Sequence, residues 1–384
     1  MSTSTFRVFV LGAGFSRPAG LPLGNELWPE IRARAREQGI HVHLERDLDE
    51  YIQFKRTCDS VELSPEKVDF EDFMGYLDLE HFLGLRGSDT WSRDGNKTQV
   101  LIKSLIARII VERTPPVDEL PDVYYRFAEE LDVTDAVLTF NYDLLLERAL
   151  EKVGKPYRLF PIRYKDAHGT VDEREEVVVL KLHGSVDWFD RTDYTDLERS
   201  YRDQGFSDPP RDPIFMPGSI AKTVPVMQGQ EPGEDPLAPM FRVLNIEALY
   251  ASHQTILVGP TPWLLSPSTT KFVYSDKLRE FWWGLGQAGA WILGVTFIGY
   301  SFPPHDNYVR QAMFKLLRNY QEKWWNEDFP GNRHKGKVVL IDRKENPQDI
   351  EAFQRRYGFV DREKSVRHFG GFNEEAIRII HAAR

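Results

Sequence analysis

The chain has a single cysteine, no excess of basic residues and no long apolar run, and each shortage excludes a class of protein. Cys58 alone can form neither an intramolecular disulfide nor a four-cysteine zinc module, which favours a reducing compartment. Asp and Glu number 59 against 49 Lys and Arg, and the formal net charge of −10 gives no overall basic footprint for nucleic acid or anionic membranes. No segment reaches the roughly 18 to 20 apolar residues of a membrane span. The glycine-interrupted apolar run over residues 6–15 reads as a first strand and not as a signal peptide, so we expect a soluble, cytoplasmic protein.

The apolar residues that are present predict the fold class. Their share of 41% in 384 residues is enough for a large core, and we expect one elaborated domain. Apolar runs with little polar alternation are typical of strands covered on both faces. Such runs stand at residues 6–11, 136–138, 177–180, 255–258, 292–298 and 338–341. Their alternation with helix-like stretches predicts an α/β fold, a Rossmann-like parallel sheet with helices on both faces.

Two interruptions divide this pattern. Residues 41–132 show helical periodicity and no convincing strand, which predicts a helical insertion. Residues 191–247 are rich in Pro, Gly and Asp, which predicts a loop-rich insertion within the core. The Rossmann-like domain would then comprise residues 1–40 and 133–384. We expect helices at residues 26–38, 48–55, 65–82, 100–112, 123–131, 144–150 and 275–288, and one beginning near residue 306.

Three short motifs follow three of the predicted strands. They are Gly12-Ala13-Gly14-Phe15-Ser16, Thr139-Phe140-Asn141-Tyr142-Asp143 and Lys181-Leu182-His183-Gly184-Ser185. The carboxyl ends of parallel strands lie at one edge of a sheet, where ligands bind in open α/β folds. The glycines, the Asn–Asp pair and the histidine are therefore expected to line one crevice.

Each motif has a structural alternative. The Gly12 loop could cradle a pyrophosphate with its amides, or it could be a tight strand-to-helix turn without a ligand. Arg17 stands where the common dinucleotide fingerprint requires its third glycine. Asn141 or Asp143 could cap the following helix, although Thr139 supplies a third polar group at alternate spacing. His183 could be a buried histidine bonded to a backbone carbonyl, but its place before Gly184 favours the ligand edge.

In this order along the chain, the three motifs resemble those of sirtuins. Gly20-Leu21-Pro22 extends the first motif, and Gly299-Tyr300-Ser301 and the strand end at Asp342 resemble the later nucleotide-binding segments. The resemblance implies a sirtuin-like Rossmann fold that uses NAD+. The chain lacks the Asp-Phe-Arg that follows the Gly-Leu-Pro-like turn of protein-deacylating sirtuins, and it lacks their zinc cysteines. The Asn-Tyr-Asp form and the Lys-Leu-His-Gly-Ser run instead resemble prokaryotic sirtuin-like proteins of antiviral defence.

That resemblance implies hydrolysis of NAD+ to nicotinamide and ADP-ribose, with depletion of NAD+ in an infected cell. Asn141 is expected to hold the attacking water, His183 to accept a proton, and Asp143 to bind the nicotinamide carboxamide. The other residues expected at the nucleotide are Gly12, Ala13, Gly14, Phe15, Ser16, Thr139, Gly299, Ser301 and Asp342. No cofactor beyond NAD+ as substrate is expected, and no zinc or other metal, since no histidines have convincing ligand spacing.

Several questions stay open at the level of sequence. Asp306 reads as a helix cap and His305 as a solvated loop residue, and packing is the default for Trp263. Trp282 and Trp283 are expected to pack within the fold or at a subunit contact and not to stack on a base. The resemblance implies a homo-oligomer and a partner such as a ring-forming ATPase or a nucleic-acid sensor. The alternatives to hydrolysis are a module that senses NAD+ or ADP-ribose without turnover and, less favoured, a sirtuin-type protein deacylase.

Overall fold

A seven-stranded parallel sheet forms the centre of the molecule. The structure, a computed structural model, describes residues 6–87, 92–161, 175–227, 235–252, 261–325 and 334–383. The strands are β1 Arg7–Leu11, β2 Ala136–Thr139, β3 Tyr157–Arg158, β4 Val177–Lys181, β5 Gly184–Asp190, β6 Thr223–Pro225, β7 Met240–Val243, β8 Pro262–Leu264, β9 Gly294–Ile298, β10 Val338–Ile341 and β11 Ser365–His368. The large sheet has the order β11-β10-β9-β1-β2-β4-β3, and every pairing in it is parallel. The predicted Rossmann-like sheet is confirmed.

Helices cover both faces of this sheet. They are α1 Ala13–Ser16, α2 Gly24–Glu37, α3 His41–Asp59, α4 Phe70–Phe82, α5 Lys97–Arg113, α6 Asp122–Glu130, α7 Leu145–Lys152, α8 Thr192–Asp203, α9 Ile246–Ser252, α10 Leu285–Ala288, α11 Asn307–Glu322, α12 Pro347–Arg356 and α13 Glu374–Ala382. Phe9 of β1 packs edge-on against Phe127 of α6. Phe297 pairs in register with Val10, the next residue along β1, so it points to the opposite face, where it contacts Tyr357 at the end of α12.

The five apolar runs that lie in the described residues form the predicted strands. β1, β2, β4, β9 and β10 are buried on both faces, as their lack of polar alternation indicates. The sixth predicted strand, at residues 255–258, lies outside the described residues. The predicted helix over residues 65–82 starts later, because Asp69 accepts hydrogen bonds from the amides of Glu71 and Asp72 and caps α4.

A second sheet is the main feature that the sequence patterns did not predict. It is antiparallel, with the order β6-β7-β5-β8. The expected long loops over residues 191–247 are therefore wrong in part, since this stretch holds α8, β6 and β7 between its irregular segments. A single helix over residues 275–288 is also wrong: 3₁₀ turns over Asp276–Trp282 precede the short α10.

The stretch between α2 and β2 is helical in its described part, with α3, α4, α5 and α6 in succession. Their buried faces join the same apolar core as the sheet. The boundaries that divide the chain into a domain and two insertions stay a prediction. Among the residues that the structure describes, no helix is long and apolar enough to cross a membrane.

Candidate active site

Three turns meet at the carboxyl edge of the large sheet. Phe140, after β2, donates its backbone amide to the carbonyl of Leu11 at 3.0 Å. Gly12, after β1, donates to Ile298 at the end of β9 at 3.0 Å. Gly299, after β9, donates to Ile341 of β10 at 2.8 Å. The first two motifs and the later glycine turn are therefore brought together, as the parallel sheet predicts.

Glycines in the first motif allow the β1 and β9 turns to touch through their backbones. A Cβ on Gly12 would lie 2.6 Å from the carbonyl oxygen of Gly299, and a Cβ on Gly14 would lie 2.6 Å from the Gly299 Cα. The amide of Gly14 donates to the same carbonyl at 3.0 Å. Close packing of two turns accounts for these glycines, which is the structural alternative considered for this loop. A role in phosphate binding stays a prediction.

A chain of hydrogen bonds joins the first two motifs. The amide nitrogen of Asn141 donates to the carbonyl oxygen of Gly12 and to Ser16 Oγ, both at 2.9 Å. Ser16 Oγ donates in turn to Asp143 Oδ2 at 2.5 Å. Ser16 and Asp143 are buried and Asn141 is half-buried. Thr139 accepts the Asn141 backbone amide at 3.2 Å and so fixes the start of the turn.

Asp143 is also a structural residue, and a lysine of the third motif supports it. Its Oδ1 accepts the amide of Leu145 at 3.1 Å, which orders the first turn of α7. Lys181 Nζ donates to the Asp143 carbonyl at 2.5 Å and to Glu147 Oε1 at 2.7 Å, with both side chains buried. Lys181 belongs to the third motif, but no role was predicted for it. A charged residue at the end of an apolar buried strand was the available signal.

His183 packs against Phe140, the residue before Asn141 in the second motif. The two rings meet edge to face, with centroids 5.0 Å apart. His183 Nε2 lies 3.0 Å from the hydroxyl of Tyr308 on α11. Burial, followed by the charge of Lys271, lowers the pKa of His183 to about 3. The imidazole is therefore neutral at physiological pH.

Asp306, in contrast to the expected helix cap, belongs to the surroundings of His183. Its side chain forms no capping hydrogen bond to α11. Oδ1 lies 2.5 Å from Lys271 Nζ and 3.9 Å from His183 Nε2, and Oδ2 accepts the Tyr300 hydroxyl at 2.7 Å. Although burial opposes ionisation, the charge of Lys271 and the hydrogen bond from Tyr300 help to lower the pKa of Asp306 overall.

His305 is likewise no solvated loop residue, since it contacts Glu71 at the start of α4. Burial lowers the pKa of His305 to about 4 and raises the pKa of Glu71 to about 7. Lys271, Tyr308 and Glu71 were missed because single charged or aromatic residues in irregular or helical segments carry no pattern that points to a site.

Two further predicted residues, Asp342 and Ser301, stand at the same sheet edge with other partners. Asp342 follows β10, and its Oδ1 accepts the Arg343 amide at 2.7 Å, which is the turn role considered for a strand-end aspartate. The Ser301 carbonyl accepts from Arg356 at 3.3 Å. Their nucleotide contacts, like the roles of the other site residues, stay predictions.

Neither of two surface cavities found in the described residues is lined by a predicted site residue. One is lined by Tyr125, Glu129, Lys152, Val153 and Lys155, and the other runs along residues 151–160 with Glu176, Val226, Arg242 and Leu244. His183, Ser16 and Asp143 are at most 7% exposed, so the candidate site is closed around its polar groups. Within the described ranges, no group of three or more His, Cys, Asp or Glu could hold a metal ion.

Residues 135–215, which include Asn141, Asp143 and His183, match the family model of the SIR2-like domain. The search of curated proteins finds no match. Among solved structures, the chain is similar to Sir2Tm bound to a propionylated peptide, with 12% identity over 99% of this chain and 92% of that chain and a TM-score of 0.32. It is also similar to SIR2 in complex with an inhibitor, 2′-O-acetyl-ADP-ribose and a deacetylated peptide, with 11% identity over 98% and 91% and a TM-score of 0.33. Because these TM-scores are low, the interpretation of the site depends on the match over residues 135–215 and on the geometry above.

Proposed function

We propose that the protein hydrolyses NAD+ at the bond between nicotinamide and ribose, which releases nicotinamide and ADP-ribose. The observation that carries the proposal is the hydrogen-bonded chain of Asn141, Ser16 and Asp143, together with a buried and neutral His183. All of these residues except Ser16 lie in the stretch that matches the SIR2-like domain. The sirtuins are NAD-dependent, as the resemblance implies, and this chain keeps the polar residues of their motifs.

The amide of Asn141 is suited to hold the attacking water. Both of its N–H groups are engaged, by Gly12 and by Ser16, so its carbonyl oxygen is the group that remains for a ligand. A water that donates to this oxygen keeps a lone pair for attack on the ribose carbon. Because nicotinamide leaves as a neutral molecule, the reaction needs little acid catalysis but must stabilise an oxocarbenium-like centre.

His183 supplies the base. A general base must be unprotonated, and the low pKa of His183 leaves the imidazole neutral throughout the physiological range, although it also makes the imidazole a weak base. Tyr308 contacts Nε2 at 3.0 Å and offers a hydroxyl through which a proton from water or from a ribose hydroxyl can pass. The phosphates would lie along Gly12 to Ser16, with Ser301 and Asp342 toward the ribose, as the resemblance implies.

By the same resemblance, we propose that the reaction serves antiviral defence through depletion of NAD+ in the cytoplasm. Constitutive hydrolysis would kill the host, so activity must be held back until infection. The closed state of the site, with Ser16, Asp143 and His183 buried, supports such control. Self-assembly or a partner such as a ring-forming ATPase would supply the trigger.

The test is NAD+ consumption by the wild-type, Asn141→Ala and His183→Ala proteins, with nicotinamide and ADP-ribose quantified. Each protein is assayed alone and with extract from infected cells. His381→Ala is the matched control, because His381 is exposed on α13, where it pairs with Glu130. We expect equimolar products from wild type and control, and at least a hundredfold loss in the two site variants.

One observation favours a second function, the sensing of NAD+ or ADP-ribose without turnover. The N–H groups of Asn141 and the carboxylate of Asp143 already have protein partners. These two side chains therefore hold the turns in place, which a site that binds a nucleotide without catalysis also requires. If calorimetry detects binding of NAD+ to the wild type and no condition yields nicotinamide, the hydrolase proposal is wrong and the sensor replaces it. A parallel assay with an acylated peptide tests the deacylase alternative, for which we expect no turnover.

A further inference from the structure

We infer that Lys271 is a positioning residue for His183: by occupying the carboxylate of Asp306, it prevents that carboxylate from pairing with the imidazole and leaves Nε2 free to accept a proton. The inference deepens the proposed function and rests on it for the role of His183 as a base. Lys271 lies in the irregular segment between β8 and α10, remote in sequence from the motifs that predicted the site.

One carboxylate oxygen of Asp306 lies between two groups that can pair with it. Asp306 Oδ1 is 2.5 Å from Lys271 Nζ and 3.9 Å from His183 Nε2. The side chains of Lys271, Asp306 and His183 are 2%, 4% and 8% exposed, so water screens these charges little. In this environment an aspartate next to a histidine favours the imidazolium, unless another cation satisfies the carboxylate first.

The remaining groups around His183 leave Lys271 as the principal cation that opposes its protonation. The titratable groups that face it are Lys271, Asp306, His305, Tyr308 and Tyr142, and Glu71 contacts His305 from α4. Burial raises the pKa values of Tyr308 and Tyr142, so both hydroxyls stay neutral. His305 is uncharged above about pH 4.

The backbone around Lys271 is held by α4. The hydroxyl of Tyr274, in the same 3₁₀ turn as Lys271, donates to the Asp78 carbonyl at 3.0 Å. Ser268 Oγ donates to the Asp78 carboxylate from the preceding loop. The turn that carries Lys271 is thus anchored on both sides of that residue, as a positioning role requires.

The experiment measures kcat/KM for NAD+ hydrolysis from pH 4.5 to 8.5 in wild type, Lys271→Met, Lys271→Arg and the double variant Lys271→Met/Asp306→Asn. Protonation of His183 in wild type falls below this range, so we expect a level acidic side for wild type and a loss of activity toward pH 4.5 in Lys271→Met, because the freed carboxylate then stabilises protonated His183. At pH 8.5 its activity should approach the wild-type value. In Lys271→Arg and in the double variant, the ratio of kcat/KM at pH 4.5 to kcat/KM at pH 8.5 should return toward the wild-type ratio.

Lys335→Met is the matched control. Lys335 is also buried, but it donates to the carbonyls of Gly289, Tyr320 and Lys323, away from the candidate site. Its profile should have the wild-type shape even if its stability falls. An equal loss of activity at every pH in Lys271→Met, without recovery in the arginine variant, would show a merely structural role and overturn the inference.

A second readout separates this inference from the proposed function. Nuclear magnetic resonance of protein with labelled histidine, with His183→Gln used to assign the signal, follows the titration of His183 without any turnover. We expect the midpoint to rise by at least one pH unit in Lys271→Met. A shifted midpoint in a protein that never consumes NAD+ would refute the hydrolase alone, and an unchanged midpoint refutes the role of Lys271 whatever the activity. If Lys271→Met does not fold, Lys271→Gln, which removes the charge and keeps the Asp306 carboxylate, is titrated in its place, and a His183 midpoint equal to that of wild type refutes the role.

Discussion

At the scale of single residues, the candidate site contains polar groups of two kinds. Some belong to short sequence motifs, and others are brought together only by the fold. Ser16, Asn141 and Asp143 were predicted because they follow buried strands, and they do form one hydrogen-bonded chain. Lys271 and Tyr308 approach His183 from positions 88 and 125 residues further along the chain (271 − 183 and 308 − 183). No spacing rule connects such residues, because their proximity results from the packing of whole elements.

The low pKa of His183 has a measurable consequence for stability. In the unfolded chain a histidine binds a proton below about pH 6.5, whereas folded His183 does so only near pH 3. A depressed pKa in the folded state gives stability that is complete above pH 6.5 and is lost as the pH falls toward 3. This one group should lower the free energy of unfolding by about 1.4 kcal/mol per pH unit within that window.

Urea unfolding of wild type and His183→Gln at pH 7, 6, 5 and 4 measures this contribution. The variant should lose less stability on acidification, by about 1 kcal/mol per pH unit. His381→Gln, at an exposed histidine, should keep the wild-type slope. Parallel slopes for wild type and His183→Gln would contradict the burial of a neutral imidazole.

At the scale of elements, the pattern of apolar residues predicts the central strands well and the peripheral ones poorly. β1, β2, β4, β9 and β10 are continuous apolar runs because both faces of each are covered. The two edge strands are different: β3 has two residues and β11 is half-buried and polar. Helix ends were predicted least well, because α4 begins where Asp69 caps it and not where its periodicity starts.

An ion pair between β4 and α7 predicts how the unfolding free energies of its single and double variants compare. Lys181 at the end of β4 and Glu147 of α7 form a buried ion pair, in which each charge depends on the other. Loss of one partner leaves an uncompensated buried charge, so Lys181→Met should cost about 3 to 5 kcal/mol of unfolding free energy. The double variant Lys181→Met/Glu147→Leu should recover most of that loss, since an apolar pair can replace a buried ion pair.

Chemical denaturation of wild type, both single variants and the double variant completes the cycle. A double variant as unstable as Lys181→Met would show that the lysine acts through its bond to the Asp143 carbonyl and not through Glu147. In that case the Asp143 turn, and not α7, depends on Lys181.

At the scale of the whole molecule, the chain passes from one sheet to another directly after His183. β4 belongs to the parallel sheet and β5 to the antiparallel one, and Gly184 turns the backbone between them with φ at +82°. Gly184 and Ser185 were interpreted as part of a motif, so the seven-residue strand that begins there was missed. The interpretation as a motif hid the signal of a strand at the same residues.

Gly184→Ala tests the tightness of this junction. A Cβ there would lie 2.1 Å from the carbonyl oxygen of Trp263, in a backbone conformation that already disfavours side chains. We expect a loss of more than about 3 kcal/mol of unfolding free energy. Gly205 is the matched control, because its φ is +81° and a Cβ on it would have no atom within 4 Å.

Gly205→Ala should cost only about 1 kcal/mol, the penalty of the left-handed conformation alone. The difference in melting temperature and urea midpoint between the two variants measures the clash with β8. Equal losses would mean that β5 and β8 can move apart at Gly184 without cost.

The contact between the β1 and β9 turns has a consequence for how this site can evolve. Gly12, Gly14 and Gly299 face one another at distances that admit no side chain on any of them. A side chain at one of these positions would require the backbone at another to move. The three glycines therefore cannot be substituted one at a time without disturbing the turns. Descendants of this chain that change their ligand would therefore still carry all three glycines, and these glycines in a sequence mark the ancestry of the fold more reliably than its chemistry.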